Sequence, residues 1–457
     1  EYCAPYNHFI KNVGALKNSL NLHVCRHVSV FLTSYICAGL KQKGVESLTP
    51  YNETYAVNGD PENTSVRSMN MSTSAGFGWN GPKRGHVSSA ELEYKRDGVI
   101  IDDDVRQVVL DSIDAYLAGD SSMPLLAAQL KDEPRSAEKI RTAKTRVFCM
   151  SPFDAIIVNR MFLGPFMTQM LEHGDVFHTA IGINMLGPDV DGLIRKLSKY
   201  SIFLEGDYGG YDTSMPFEIG HIAGTIQYEV CKYFGYNENA LKCVRGVITD
   251  NLFPFVMVDG TVMSTPSLQP SGKFGTAEDN SLRGLVLLVY YWAVTHTSIG
   301  KDSDFNITTN YKMTDFFRLL HPVIYGDDLL VGVSDELKST VTNNSYKEFC
   351  EVVYGIRYTN AQKTSVMKDH LDISEISFLK RTFEYRHDLG HWVAKLDRTS
   401  LMKALCYRLP VSASCTLDDA RISTAISVLY ELVNHVGELE FRVKRRKFID
   451  VYYDLYE

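Results

Sequence analysis

The 457-residue chain has no Cys-x-x-Cys pair; its nine cysteines are scattered from Cys3 to Cys415. That argues against a zinc site of the usual thiolate kind and against a disulfide framework, and a reduced, cytoplasmic protein is expected. Long hydrophobic runs are missing as well. The longest, near Leu285 to Val294, is broken by Tyr290, Tyr291 and Trp292 and is too short to cross a bilayer, so no transmembrane segment is expected. The chain has no signal-peptide pattern and starts at Glu1 rather than Met, so a fragment or a product cut from a longer precursor is expected. Internal repeats and low-complexity tracts are absent. An excess of positive charge is lacking too: 47 Lys and Arg against 55 Asp and Glu give a formal net charge of −8. As a mean, that argues weakly against a nucleic-acid partner, but local clusters carry more information.

What is present fits a folded chain. Hydrophobic residues make up 45% and charged residues 22%, which excludes a disordered or fibrous protein, and the length suits two or three cooperating subdomains. Apolar positions at Val24, Val28, Phe31, Leu32, Tyr35 and Ile36 predict a helix over 21–40, with Gly39 as a nearby stop. Residues 50–90 are rich in Asn, Ser, Thr and Gly and read as loop; 102–118 read as helix. Ser201 to Leu204 is a strand candidate running into Gly206-Asp207. Val256 to Val262 is a hairpin turned by Asp259-Gly260. Ala277 to Val294 is helical, and so are 345–354, with Phe349, Val352 and Val353 inward and Gly355 as the stop. Helical patterns return from about 397. The irregular alternation predicts an α+β protein with a large helical share.

Five segments carry possible chemistry. Asp207 follows an apolar strand, and Asp327-Asp328 lie on a turn between the apolar arms Pro322 to Ile324 and Leu329 to Val333. Carboxylates at strand ends are rigidly aimed, which suits magnesium, although Asp and Gly also favour plain solvated turns. Ser271-Gly272 leads to a helix on which Thr276, Asn280 and Arg283 fall within about 60° of one another. Leu282, Leu285, Val286, Val289 and Ala293 share the opposite face, so a polar side is expected either to meet a ligand or to be wet by solvent. Lys131, Arg135, Lys139, Arg141, Lys144 and Arg146 place six cations within sixteen residues. They can neutralise a triphosphate or form a solvated loop. Lys363 stands alone and by itself reads as a surface residue.

In this order the segments resemble the RNA-dependent RNA polymerases of positive-strand viruses of the picornavirus-like group, over about residues 70–385. The sequence looks more like the insect picorna-like viruses, of iflavirus or dicistrovirus type, than like enteroviruses. Thr73-Ser74-Ala75-Gly76 looks like the loop through which template enters, and Lys131 to Arg146 like the basic fingers motif. Asp207 to Asp212 resembles the first metal motif, Ser271 through Asn280-Ser281 the ribose-reading motif, and Tyr325-Gly326-Asp327-Asp328 the second metal motif. Lys363 falls where the family has a mobile Lys, and Phe378-Leu379-Lys380-Arg381 resembles the primer-grip hairpin. There are two departures: Pro134 replaces a common Leu, and Glu1 stands where picornaviruses proper have a buried Gly.

The resemblance implies a closed right hand with an antiparallel palm sheet on helices. The expected parts are fingers over 1–165, palm over 166–240, a fingers insertion over 241–268, palm again over 269–385 and thumb over 386–457. It further implies nucleotidyl transfer from a nucleoside triphosphate to a primer 3′-hydroxyl. Asp207 and Asp327 would lie side by side holding two Mg²⁺ (Mn²⁺ can substitute), with Asp328 as the supporting carboxylate. Asp212 and Asn280 would read the ribose, assisted by Ser271 and Thr276. Lys131, Lys144 and Arg146 would neutralise the triphosphate, and Lys363 would protonate pyrophosphate. Thr73, Ser74, Gly76, Lys380 and Arg381 would guide template and primer. The implied partners are template RNA, an RNA or protein primer and other viral replication proteins, in host cytoplasm at replication complexes. Two rival readings are a reverse transcriptase-like polymerase, disfavoured by polar Asp212 and Asn280 where a bulky aromatic is usual, and a catalytically dead RNA-binding scaffold.

Overall fold

The computed structural model describes residues 4–266, 268–307, 311–361, 366–407 and 416–456. The elements that position the site begin with helix α1 (Leu22–Gln42), helix α2 (Asp103–Ala118), strands β1 (Leu125–Leu130) and β2 (Val147–Met150) and helix α3 (Phe153–Glu172). Strand β3 (Ile202–Gly209), helix α4 (Phe217–Tyr233), the hairpin β4 (Phe255–Val258) and β5 (Thr261–Ser264), and helix α5 (Thr276–His296) follow. Then come β6 (Leu320–Tyr325), β7 (Asp328–Val333), β8 (Arg357–Thr359), β9 (Ser377–Phe378), β10 (Arg381–Arg386) and β11 (His391–Leu396). Helices α6 (Arg398–Cys406), α7 (Leu417–His435) and α8 (Glu438–Tyr456) close the chain. The protein is thus α+β. No described helix is long and apolar enough to cross a membrane.

The central sheet has the order β8-β3-β7-β6 and is antiparallel throughout. Its strands alternate between two cores. Leu204, Ile324, Leu329 and Val331 join the large cluster that contains α1, α4 and α5. Phe203, Val323 and Leu330 join a second cluster with Val190, Ile194, Leu197 and Phe378. A sheet covered on both faces needs near-unbroken apolar strands, which is why these runs are legible in the sequence. Each side chain buried this way stabilises by roughly 1.5–3 kcal/mol.

A second sheet has the order β2-β1-β4-β5, with β1 and β4 parallel. Its hairpin turns at Asp259 and Gly260, whose φ values of 46° and 83° suit the tight turn expected there. The sheet therefore draws residues 255–264 beside 125–150.

Four local expectations need correction. Helix α1 does not stop at Gly39 but runs to Gln42; Gly39 lies in the helix because a Cβ there would meet Val176 Cγ1 at 2.7 Å. The loop read over 50–90 contains the short helix Glu53–Asn58, capped by the Asn52 side chain, which accepts from Tyr55 N–H at 2.8 Å, and from residue 87 a strand, Val87–Leu92. Val352 does not point inward but is 57% exposed. Residues Cys350–Tyr354 form a π-helical turn, and its wider winding rotates Val352 off the core face before Gly355 ends it at φ 67°. Finally, α5 is not two-sided: every residue from Asp279 to His296 is buried, so its polar side faces protein rather than solvent.

Candidate active site

Strand β3 delivers Asp207, the β6–β7 turn delivers Asp327, and β7 opens on Asp328. In the register of the sheet, Asp207 is paired with Asp328 rather than Asp327. Asp327 sits in the turn itself, after Gly326 at φ 61°. Asp327, expected beside Asp207, is the next residue along, in the turn that caps this register pair. Cross-strand partners share a face of the sheet, and like charges directly opposite one another are destabilising unless a cation joins them. All three donors are hard carboxylate oxygens, which fits Mg²⁺. Among the described residues no group of three or more His, Cys, Asp and Glu has the arrangement to cage an ion. An ion here would complete its shell with water and phosphate oxygens, as Mg²⁺ commonly does.

Asp212 lies in the one-turn helix Tyr211–Ser214 that follows β3, and burial pushes its carboxyl up to about 6. The neighbouring charge of Asp327 adds to the rise, while Arg146, Lys131 and Arg283 oppose it. One half-buried acid thus feels the β6–β7 turn, the basic segment and the head of α5 together. In the basic segment Lys131 N–H donates to Arg146 C=O at 2.8 Å, which sets the two residues opposite each other beyond the β1–β2 pair. Glu133 gathers their side chains, 3.8 Å from Lys131 Nζ and 3.7 Å from Arg146 Nη1, and also pairs with Arg135. Lys131, Lys144 and Arg146 are exposed, so an incoming anion can reach them.

The ribose-reading candidates sit on a rigid base. Gln269 N–H donates to Asp212 C=O at 2.8 Å, and Gln269 Nε2 donates to Asn280 Oδ1 at 2.9 Å. Ser271 is exposed. Thr276 Oγ1 donates to Lys273 C=O at 2.7 Å, so its hydroxyl serves the loop before the helix. Gly272 lies in bridge contact with Met150 of β2, and a Cβ there would fall 2.2 Å from the Cys149 carbonyl oxygen. Only glycine allows that approach.

A family model described as viral RNA-dependent RNA polymerase matches residues 41–441. The chain belongs to the viral RNA-dependent RNA polymerases. The polymerase is 27% identical over 354 residues to the replicase polyprotein of Acute bee paralysis virus, covering 76% of this chain and 18% of the polyprotein. Against the replicase polyprotein of Cricket paralysis virus it is 25% identical, covering 66% and 17%. The chain thus spans less than a fifth of each of these relatives. Its fold matches a Sicinivirus 3Dpol RNA-dependent RNA polymerase with a TM-score of 0.72 at 17% identity, covering 94% of this chain and 84% of the other.

The Thr73–Gly76 loop is docked on α3: Phe153 N–H donates to Ala75 C=O at 2.8 Å, and Gly76 N–H donates to Ser74 Oγ at 3.2 Å. Buried Lys83 holds the loop from behind, donating to Thr73 Oγ1 at 2.6 Å and Ser74 C=O at 2.9 Å. Lys380 is exposed at a turn with φ 58°. Arg381 is committed elsewhere: its guanidinium pairs with Glu431 on α7 and its side chain is only 12% exposed. Lys363 lies outside the described residues.

Sequence reasoning missed four residues of the site's support. They are Gln269, Lys83, Asp279 and Lys273. Asp279 accepts from Lys273 Nζ at 2.8 Å, Arg283 Nε at 3.1 Å and Gln269 Nε2 at 2.6 Å. Burial alone would raise Asp279, but the Arg283 and Lys273 cations outweigh it and hold its carboxyl well below the usual range. The i,i+4 spacing of Asp279 and Arg283 was a legible signal. Gln269 gave none.

Proposed function

We propose that the polymerase copies a positive-strand viral RNA genome by joining nucleoside monophosphates to a primer 3′-hydroxyl, with pyrophosphate leaving. The observation that carries this reading is the convergence of Asp327, Lys131 and Arg146 on Asp212, beside the Asp207–Asp328 register pair. Asp207, Asp327 and Asp328 would hold Mg²⁺ (or Mn²⁺), which when bound lowers the pKa of the attacking hydroxyl and neutralises the leaving phosphate. Lys131, Lys144 and Arg146 attract and orient the triphosphate. Asp212 and Asn280, with Ser271 nearby, address the ribose hydroxyls. Thr73, Ser74 and Gly76 line the template's path, and Lys380 lies on the primer side. Lys363 donates a proton to departing pyrophosphate. The partners in this reading are template RNA, an RNA or protein primer, and other viral replication proteins at complexes in host cytoplasm.

Primer extension on homopolymer RNA with Mg²⁺ tests it, comparing NTP with dNTP. NTP-dependent extension is expected. Faster incorporation of dNTP would support a reverse transcriptase instead, and RNA binding without extension would leave a dead scaffold.

A further inference from the structure

Asn280 has an amide whose two ends differ in chemistry: Oδ1 accepts and Nδ2 donates. Which end meets a ribose 2′-hydroxyl depends on what holds the other. Here Oδ1 is held by Gln269 Nε2 at 2.9 Å. The same Nε2 donates to Asp279 Oδ2 at 2.6 Å. An ionised carboxylate only accepts, so Gln269 must turn its NH₂ toward Asp279. Lys273 Nζ at 2.8 Å, Arg283 Nε at 3.1 Å and Gln227 Nε2 at 3.1 Å fix that carboxylate in place. The alternative flip would set Gln269 Oε1 against a negative charge. In the orientation adopted, Oε1 is buried without a hydrogen-bond partner, on a residue with 0% exposure. A buried unsatisfied acceptor is costly, so the orientation is imposed by Asp279 and not by the needs of Gln269 itself.

We infer that Gln269 is a positioning residue for sugar selection: it relays the fixed charge of Asp279 into the orientation of the Asn280 amide, presenting Nδ2 as a donor to the ribose 2′-hydroxyl. The inference rests on the reading of Asn280 as a ribose contact. Gln269 also ties this amide to the other ribose candidate, since its own N–H donates to Asp212 C=O at 2.8 Å. A 2′-deoxynucleotide offers no oxygen to the donor, so it gains nothing from the relay.

The test measures kcat/KM for NTP and for 2′-dNTP in wild type, Gln269→Met, Asn280→Ala and the double variant, with thermal unfolding as a fold control. Methionine matches the length of Gln and removes the unpaired Oε1. The expected result is an NTP/dNTP preference lowered about threefold to tenfold in Gln269→Met, as for one lost hydrogen bond. The loss should fall on NTP, leave dNTP unchanged, and go no further in the double variant than in Asn280→Ala alone. If Gln269→Met does not fold, Gln269→Leu is read the same way. Equal loss for both sugars, or independent losses in the double variant, would overturn the relay. A lowered preference in Asn280→Ala with an unchanged one in Gln269→Met overturns the relay alone. An unchanged preference in Asn280→Ala overturns the ribose reading and the relay together.

Discussion

Arg381 on β10 and Glu431 on α7 form a two-pronged ion pair, Nη1 to Oε2 at 2.7 Å and Nη2 to Oε1 at 2.5 Å. Arg381 Nη1 also donates to Ala394 C=O at 3.1 Å, so one guanidinium joins β10, β11 and α7. Glu431→Gln leaves a nearly buried guanidinium without its counter-charge. Breaking a buried pair costs about 3 kcal/mol or more. Chemical denaturation should show a lower midpoint for Glu431→Gln, and Arg381→Lys should fall short of wild type because a point charge cannot make both prongs. An unchanged midpoint would reduce the pair to a surface contact.

Asp327→Asn is nearly isosteric and sits in a turn, so the fold should survive. Extension should be lost, because a charged donor for Mg²⁺ is gone. Wild type should gain thermal stability on adding Mg²⁺ or Mn²⁺, by mass action, and the variant should gain less. Near wild-type extension by a folded Asp327→Asn protein contradicts the metal assignment.

RNA affinity should fall steeply with salt despite the net charge of −8. For single strands the logarithmic slope is roughly −0.7 per phosphate neutralised. Each Lys or Arg of the fingers segments that meets an RNA phosphate would add that much to the slope. Fluorescence anisotropy between low and physiological salt reads it, and a flat dependence would contradict the prediction.

Lys363→Arg keeps the charge but offers no transferable proton, whereas Lys363→His offers one. A general acid commonly supplies 10²–10⁴-fold. Single-turnover incorporation should be slower for Arg and Leu than for His at this position. Equal rates for all would make Lys363 a bystander.

His178 is buried against Phe317, with ring centroids 4.3 Å apart, and its Nε2 is 3.0 Å from Tyr35 Oη. Burial lowers its pKa to about 3, with nearby His321 adding to the fall. The folded value thus lies below the ordinary 6.5, so the unfolded chain binds the extra proton. Stability from this group is complete above pH 6.5 and declines toward pH 3, at roughly 1.4 kcal/mol per pH unit. His178→Phe keeps the stacking and removes the titration. Its melting temperature should vary less than that of wild type over the same interval.

The sequence revealed what its neighbours in the chain determine. Apolar arms ending in Gly-Asp identified β3 and the β6–β7 turn, since strand periodicity and turn chemistry are local. The resemblance, not local patterning, set Asp327 beside Asp207. The register that pairs Asp207 with Asp328 joins strands more than a hundred residues apart and leaves no local trace. Val352 was misjudged because a π-helical turn breaks the period used to place it. Arg381 looked like a primer contact until α7 supplied Glu431, 50 residues away. Helical spacing placed Asn280 on one face with Thr276 and Arg283, but the Gln269 that holds it lies in a loop without periodicity.

Gly272 works as a ruler. The strand beneath it leads out of the basic segment, and the helix after it carries Asn280. Because nothing larger than hydrogen fits between Gly272 and the Cys149 carbonyl, the two elements sit at their minimum separation. A nucleotide held by its phosphates at one end and its sugar at the other would be gauged against that fixed span. A single methyl group at Gly272 would press on that backbone carbonyl, so an alanine there would have to move the two elements apart and change the span itself.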